Sequence, residues 1–296
     1  MQTDCVVNEG KNRVVEVGGQ SYERLAIKTH VITDEDDICD VAEKYVTPFL
    51  QDGDVVFITE KAVACTQRRA IPVDQIKPRP LARFLCKFVY KNPHGIGLRM
   101  PETMEMALRE CGTIRILFAA AVSAVGKLFH KKGWFYKIAG YKASSIDGPC
   151  SYTLPPYNHY VVLGPAEPDA TARKISQRLG GAPVLITDIN DLDGNILGAS
   201  DSSLDRKLFV EILRDNPLGQ SHEQTPIGLI RKVYLKLQTL LFSNRNKNDF
   251  YFWPCPKRRN NRISNRSRPA AEKAQEFRCI PDFSDMTGSS GQQIKR

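Results

Sequence analysis

The chain has 296 residues, enough to bury a full hydrophobic core in one large domain or two ordinary ones. Its formal net charge is +9, but residues 231–296 contain 15 Lys and Arg against 5 Asp and Glu, which leaves residues 1–230 with a net charge of −1. The positive excess is therefore a property of the C-terminal segment, and the balanced charge of residues 1–230 argues against a broad surface for nucleic acid there.

The cysteines and the apolar segments indicate where the protein works. Eight cysteines are scattered without a C-x-x-C pair or a histidine at zinc-finger spacing, which is typical of a reducing compartment. The polar N-terminus does not resemble a signal peptide. The longest apolar stretch, Ile116 to Val125, is far shorter than the roughly 20 residues of a membrane span. We therefore expect a cytoplasmic protein with no membrane among its partners.

A helix and a strand are the first readable elements. Apolar residues recur at helical spacing between Ile38 and Tyr45, after the acid run 34–37, which suits the positive end of a helix dipole. Pro48 marks the end of this helix. The apolar run 54–59 then predicts a short strand covered on both faces, and Lys61 follows it directly.

The later part of the chain predicts two more helices and three more strands. The helices cover residues 101–111 and 168–179, and the strands cover 113–118, 160–163 and 183–187. The last strand–helix–strand succession has the pattern of a β-α-β unit. It delivers Asp188 at the carboxyl end of its second strand.

Acidic residues at two predicted strand-to-loop junctions suggest a metal site. Asp147 lies in the loop 142–148, and Asp188 is followed by Asn190 and Asp191. Because Mg²⁺ and Mn²⁺ prefer oxygen ligands held by fixed backbone, Asp147, Asp188 and Asp191 are the candidate metal ligands.

Other interpretations of these residues stay open. Asp188 is also suited to an ordinary turn or helix cap, and Ile-Asp147-Gly-Pro is a good turn sequence. Lys61 lies at a strand end, where ligands of α/β proteins collect, but it is equally a plausible surface lysine. Neither a G-x-x-x-x-G-K-[ST] loop nor a G-x-G-x-x-G loop occurs, and the segment after Asp188 lacks the ligand positions of an EF-hand.

Three segments in order resemble a known family. Gly53-Asp-Val-Val-Phe-Ile-Thr-Glu-Lys61, Leu163-Gly-Pro-Ala-Glu-Pro-Asp-Ala-Thr-Ala172 and Ile186-Thr-Asp188 are similar to the G-D-V-V-x-I-T-x-K strand, the P-x-D-P-D-A-S-A helix start and the S-D-T acid loop of the coenzyme F-420-0 gamma-glutamyl ligase family. Asp147 stands where that family has an A-G-V-D loop. The resemblance extends over about residues 24–230.

The resemblance implies a fold and a reaction. The fold is α/β (mixed α+β), with acid loops at strand ends. The reaction joins L-glutamate to an acidic small-molecule acceptor, a deazaflavin precursor in the family, with GTP as the purine nucleotide and Mg²⁺ or Mn²⁺ as cofactor. By the same resemblance Asp147 and Asp188 would hold the metal, Lys61 would be the catalytic residue that steadies negative charge near the nucleotide, and the protein would be a homodimer. Asn190, close behind Asp188, is a further candidate for contact with the nucleotide.

The chain departs from the family pattern around these residues. Where the family reads A-N-A-G-V-D-x-S, this chain reads Lys142-Ala-Ser-Ser-Ile-Asp-Gly-Pro149, and the family's A-E-G-R is replaced by Thr66-Gln-Arg-Arg69. Ile189 stands after Asp188 in place of the threonine. We therefore interpret the chain as a divergent member in which the fold is better preserved than the substrate positions.

The predicted organisation is an N-terminal extension over 1–23, a ligase-like domain over 24–232 and a basic tail over 233–296. The tail is rich in Asn, Arg, Lys and Ser, a composition that predicts disorder. Two rival functions follow. One is a non-catalytic relative that binds nucleotide or metal, and the other is a nucleic-acid-associated protein that acts through the tail, for example through Lys257-Arg-Arg259.

Overall fold

The computed structural model describes residues 4–89, 97–128, 133–151, 153–190, 194–220 and 222–234. All of them belong to one compact unit that spans residues 1–237. Asp191 and nearly all of the predicted tail, from residue 235 onward, lie outside the described residues.

The strands of the described residues are short to medium in length. They are β1 Cys5–Val6, β2 Val14–Val17, β3 Gln20–Ile27, β4 Val55–Thr59, β5 Ala70–Pro72, β6 Tyr160–Val162, β7 Val184–Ile189, β8 Gly194–Ala199 and β9 Ile227–Val233. 

The α-helices follow the first three strands, and five of them lie consecutively in the middle of the chain between β5 and β6. They are α1 Ile38–Val46, α2 Glu60–Thr66, α3 Pro80–Leu85, α4 Pro101–Cys111, α5 Thr113–Leu128, α6 Trp134–Ala139, α7 Tyr141–Ser144, α8 Pro168–Arg178 and α9 Arg206–Ile212. We refer to α3–α7 as the helical lobe.

A seven-stranded mixed sheet forms the centre of the fold. Its order is β1-β3-β9-β4-β7-β8, with β2 paired to the other part of β3. β4 and β7 run parallel, while β9 runs antiparallel to both β3 and β4. The predicted mixed α+β class is therefore confirmed. The sheet also takes in residues 5–23, which the sequence assigned to an N-terminal extension.

Side chains alternate between the two faces of the sheet, as strand geometry requires. Val56 and Ile58 of β4 lie in a core with α1, α2 and α8. Phe57, between them, lies in a second core with α9 on the opposite face. This double coverage explains the continuous apolar run of β4 and confirms the prediction made from it.

A third core holds the helical lobe together. Leu85, Met104, Leu108 and Ile116 pack in it, and Val161 of β6 contributes from a separate two-stranded sheet of β5 and β6. The lobe therefore has a hydrophobic interior of its own beside the central sheet.

Two predictions from the sequence were wrong. Residues 113–118, expected as a strand, begin α5, because α4 ends at Gly112 with a φ of +84° and the chain starts a new helix at once. The segment 160–163 is a strand, but it pairs antiparallel with β5 and not with β7. The parallel partner of β7 is β4, so the expected β-α-β unit does not exist as a single sheet motif.

A buried guanidinium ties the N-terminal strands to α9. The Arg24 side chain is fully buried, donates to the Ile212 carbonyl at 2.9 Å and pairs with both carboxylate oxygens of Asp215. It also donates to the Asn12 carbonyl. Because a buried charge is tolerated only when it is paired and hydrogen-bonded, these partners fix residues 12–24 against the sheet.

The start of α8 packs on β8 so closely that one position requires glycine. A Cβ at Gly198 would lie 2.4 Å from the carbonyl carbon of Pro168 and 2.8 Å from the Asp169 nitrogen. Asp169 itself accepts from the Ala199 amide at 2.8 Å and pairs with Arg206 at 2.6 Å. The Pro-Asp helix start therefore has a structural role here.

We expect Gly198→Ala to lower the free energy of unfolding by about 3 kcal/mol, because rigid backbone would have to move. Gly194→Ala in the same strand is the matched control, since its Cβ would come too close only to the flexible end of Ile189, with Val210 at ordinary contact distance. It should cost about 1 kcal/mol. Urea unfolding of both variants measures the difference, and equal losses would contradict the close packing of α8 on β8.

Candidate active site

The parallel pairing of β4 and β7 brings the first candidate residues together. Thr59 and Thr187 are partners in the ladder, so Glu60 and Asp188 follow at the same edge of the sheet. No loop separates β4 from α2, and Lys61 lies in the first turn of that helix. Asp188 is still within β7, which ends one residue later at Ile189.

Asp147 comes from the loop between α7 and β6 and lies at the same edge. Its backbone forms an antiparallel bridge with Val162, with both N–H to O distances at 2.9 Å. The bridge extends the small β5–β6 sheet by one residue. It fixes the backbone of the acid loop, as the sequence hypothesis of a rigid loop requires.

A lysine ammonium joins two of the acids. Lys61 Nζ lies 2.6 Å from Asp147 Oδ2 and 2.6 Å from Glu60 Oε1. It also lies 3.5 Å from the Ser145 carbonyl. The structure thus places Lys61 and Asp147 in direct contact, with Asp188 close enough to affect the charge of Lys61.

Glu60 belongs to this group, although the sequence interpretation did not select it. It is 2 % exposed, and its second carboxylate oxygen, Oε2, has no hydrogen-bond partner within the described residues. A glutamate beside a lysine at the end of a strand covered on both faces was the available signal.

The environment shifts the protonation of both residues. Burial raises the pKa of Glu60 from 4.5 to about 7, with Lys61 opposing the shift and the charges of Asp188 and Asp147 adding to it. For Lys61, burial works against the ammonium, but the carboxylates of Asp147, Glu60 and Asp188 outweigh it and raise its pKa. Lys61 therefore stays charged at neutral pH, whereas Glu60 is poised to gain or lose a proton.

These residues line a cleft of about 2250 Å³. One part of its wall comes from the edge of the central sheet and includes Asn190 as well as the four residues above. The other part comes from the helical lobe and is largely apolar, with Leu85, Phe88, Ile116 and Phe135 among its side chains. The cleft can therefore take a ligand that has both a charged and an apolar portion.

The loop that follows β3 also lines the cleft and involves part of the acid run. His30 in this loop contacts Asp36 at 2.9 Å and the Tyr45 hydroxyl at 2.9 Å. Asp37 caps α1 by accepting from two backbone amides. Asp36 therefore orders this loop, and Asp37 orders the start of α1.

The metal hypothesis is consistent with the donor types present. Asp147 and Asp188 both line the cleft and offer the carboxylate oxygens that hard cations prefer. In the ranges that the structure describes, no group of three or more His, Cys, Asp or Glu side chains is placed to hold a metal. The two aspartates thus fit part of a coordination shell, which substrate oxygens would have to complete. The predicted third ligand, Asp191, lies outside the described residues.

The cleft also contains a thiol that is unsuited to nucleophilic attack. Burial raises the pKa of Cys65 to about 11, so its sulfur stays protonated at neutral pH. The arrangement favours reactions that depend on charge neutralisation and alignment over a covalent thioester route.

Glu60→Gln should show how the buried carboxyl affects stability. Because folding raises its pKa from 4.5 to about 7, the free energy of unfolding of the parent falls as the pH rises through this window. Glutamine keeps the shape without ionising. At pH 8 the variant should be more stable than the parent by up to about 3 kcal/mol, and near pH 4.5 the two should be almost equal.

Urea unfolding at both pH values tests this, with the exposed Glu35→Gln as a control that should show no pH-dependent difference. A parent that is the more stable protein at pH 8 would mean that attraction to Lys61 outweighs the cost of burying the Glu60 charge.

Comparison with known proteins gives this geometry a family context. No curated protein matches the chain. The family model described as F420-0:Gamma-glutamyl ligase matches residues 26–191, more than half of the chain, and this segment includes Glu60, Lys61, Asp147 and Asp188. The chain therefore belongs to the F420-0:gamma-glutamyl ligase family, as its sequence motifs predicted.

Proposed function

We propose that the protein is a gamma-glutamyl ligase that joins L-glutamate to an acidic small-molecule acceptor and depends on GTP and on Mg²⁺ or Mn²⁺. The observation that carries the proposal is the cluster in which Lys61 contacts Glu60 and Asp147, with Asp188 beside it in the same cleft. Family membership supports the ligase class. The nucleotide, the metal and the acceptor are our inference from the chemistry of the cluster.

The charge of the cluster explains why cations would be needed. Asp147, Asp188 and ionised Glu60 face one ammonium, so the group is negative at pH 8. Phosphates would be repelled from such a site unless divalent cations bound first. A cation held by Asp147 and Asp188 would neutralise charge on the nucleotide phosphates, which is the chemistry that the metal supplies when bound.

The reaction that we infer has two steps. In the first, an oxygen of the acceptor carboxylate attacks the γ-phosphorus of GTP, the bond from that phosphorus to the bridging oxygen breaks, and GDP leaves. In the second, the amine nitrogen of glutamate attacks the carbonyl carbon of the acyl phosphate. The C–O bond breaks, inorganic phosphate leaves, the amine loses a proton and an amide remains.

The residues of the chain would act by alignment. Glu60 holds the Lys61 ammonium from one side and Asp147 holds it from the other, each at 2.6 Å, so its position is fixed before substrate arrives. A fixed ammonium can stabilise negative charge on a transferring phosphoryl group without reorganisation. Asn190, in the same cleft wall, would offer an amide to the nucleotide.

The non-catalytic alternative rests on the departures from the family pattern, and two of these are buried. Ala143 and Ser145, which replace the asparagine and the glycine of the family loop, are 1 % and 2 % exposed. Ser145 packs close to Gly164. Because such substitutions alter packing beneath the loop and leave the acid at Asp147, they favour an adjusted loop over a lost activity. Pro149, by contrast, lines the cleft, and we infer that it changes acceptor specificity.

Metal-dependent nucleotide binding is the decisive first measurement. We expect GTP to bind tightly by calorimetry in the presence of Mn²⁺ and at least about 100-fold more weakly without it, because a metal held by the two aspartates would neutralise the phosphate charge. Asp188→Asn should remove this metal dependence. Asp52→Asn is the matched control, since Asp52 is exposed in the turn at the opposite end of β4. Equal GTP affinity with and without Mn²⁺ would contradict the proposal.

Lys61→Met should change metal binding and nucleotide binding in opposite directions. Removing the ammonium leaves Asp147 and Glu60 without their shared cation, so the affinity for Mn²⁺ alone should rise about ten-fold. The affinity for GTP and the ligase turnover should both fall, since the phosphates lose a positive contact. Isothermal titration of each ligand, together with phosphate release in the presence of glutamate, measures these effects. If Mn²⁺ and GTP binding weakened together, Lys61 would have a structural role.

A further inference from the structure

The balanced charge of residues 1–230 conceals a strong segregation. Residues 75–144, which contain the helical lobe, have 13 Lys and Arg against 3 Asp and Glu, whereas the rest of residues 1–230 has 14 against 25. Averaging over the whole segment had suggested that it has no basic surface. The helical lobe is in fact strongly basic, and the remainder is strongly acidic.

The few acids of the lobe are largely engaged. Glu105 is buried and pairs with Arg79 and Arg109 at 3.0 and 2.9 Å. Glu110 pairs with Arg69, which lies outside the lobe, at 2.6 Å. The outer surface of the lobe therefore presents mainly cationic groups, among which Arg83, Lys87, Lys137 and Lys142 are exposed.

Helix α5 of the lobe carries an exposed apolar face. Ile114, Leu117, Phe118, Ala121 and Val125 of α5 are exposed, and their spacing puts them on one side of the helix. Ile114 is 86 % exposed and Phe118 is 60 % exposed. Ile116 and Ala119 face the lobe core instead. We call the exposed set the apolar stripe.

A second part of the lobe, at the mouth of the cleft that Phe88 also lines, has the same mixed character. Phe84 and Phe88 are 57 % and 60 % exposed and stack edge to face, with their ring centroids 5.0 Å apart. Arg83 and Lys87 are their exposed neighbours in sequence. Aromatic rings interleaved with cationic groups are typical of surfaces that sit at a membrane interface, where the rings enter the headgroup region and the charges meet anionic lipid.

We propose that the helical lobe docks on an anionic lipid surface through the apolar stripe of α5. The helix lies in the plane of the interface, with the stripe at the boundary of the acyl chains and the basic residues of the lobe among the headgroups. The lobe does not cross the bilayer, and no helix of the described residues is long and apolar enough to do so.

Charge distinguishes lipid from the other occupants of this face. A second copy would bring an equally basic lobe against the first in a symmetric contact, which like charge opposes. The acidic remainder of a second copy would match the charge, but among its described residues up to 230 only Val7 and Val14 are exposed large apolar side chains, too few to cover the stripe. Residues 231–296 of the same chain are also basic, with 15 Lys and Arg against 5 Asp and Glu. Nucleic acid would satisfy the cations but would leave Ile114 and Phe118 against a polar backbone. An anionic bilayer satisfies both the charge and the apolar stripe.

Vesicle sedimentation with the full chain tests the proposal. We expect the protein to sediment with phosphatidylcholine vesicles that contain about 30 mol % phosphatidylglycerol and to remain largely in the supernatant with phosphatidylcholine alone. Raising NaCl to about 0.5 M should weaken the binding, because the electrostatic part is screened. The Ile114→Glu/Phe118→Glu double variant should bind at least about ten-fold more weakly.

Matched variants make the result specific. Val14→Glu changes an apolar residue of similar exposure on β2 and should leave binding unchanged. Arg83→Glu/Lys87→Glu should reduce binding through charge without touching α5, which keeps the test valid if the α5 variant folds poorly. Undiminished binding of both double variants would assign the membrane contact to the tail and overturn the proposal.

Two further outcomes would also overturn it. One is a parent dimer that the α5 variant converts to a monomer in light scattering, with no vesicle binding by either protein. The other is tight binding of a labelled oligonucleotide that the α5 variant loses, again without vesicle binding.

Discussion

The parallel pairing of β4 with β7 is the constraint on which the site depends. Thr59 and Thr187 stand opposite each other, so the residues that follow them, Glu60 at the start of α2 and Asp188 in β7, lie at one edge of the sheet. A shift in β7–β8 register between Ile186 and Thr187 bends the ladder just before this edge, as bulges beside active sites often do. Both strands are buried on both faces, so their register is held by two cores and the relative position of the acids is not free to drift.

Electrostatics then determines what the edge can do. The Lys61 ammonium contacts both Glu60 and Asp147, and the side chain is one-third exposed. Removing water from Glu60 makes its ionised form costly, which is why its pKa approaches neutrality while that of Lys61 is raised. Ionisation of Glu60 therefore lowers the free energy of unfolding at alkaline pH. Such a cost is typical of active sites, where charged groups are held ready for a ligand that completes them.

The sequence was most informative where local signals and tertiary packing agree. The helices 101–111 and 168–179 were readable because each begins at a proline and ends before a glycine or at a left-handed turn. The strand before Lys61 was readable because both of its faces are covered. Asp147, Asp188 and Lys61 were selected by their place at strand ends, and the structure brings Lys61 and Asp147 into contact.

The failures have physical causes of the same kind. Residues 113–118 have apolar side chains on two sides of α5. One side faces the lobe core and the other is exposed. This continuous apolar run predicted a buried strand where the structure has a helix. The partner of β6 lies about ninety residues earlier in the chain, and no local pattern encodes such a pairing. Glu60 was missed because burial, which gives it significance, is a tertiary property. The charge segregation was missed because net charge was averaged over elements that fold into different layers.

The same segregation bears on how ligands approach the cleft. Its sheet wall is acidic and would draw divalent cations, whereas its lobe wall belongs to a basic body and includes Arg99. Fields of opposite sign on two walls of one cleft can orient a ligand before contact, since each end of a dipolar or metal-bound anion is attracted to a different wall. A metal-bound nucleotide would be such a ligand. Its cation would face the acidic wall, and the negative charge left on its phosphates would face the basic lobe. The fold thus separates two electrostatic tasks that a single uniformly charged pocket could not perform together.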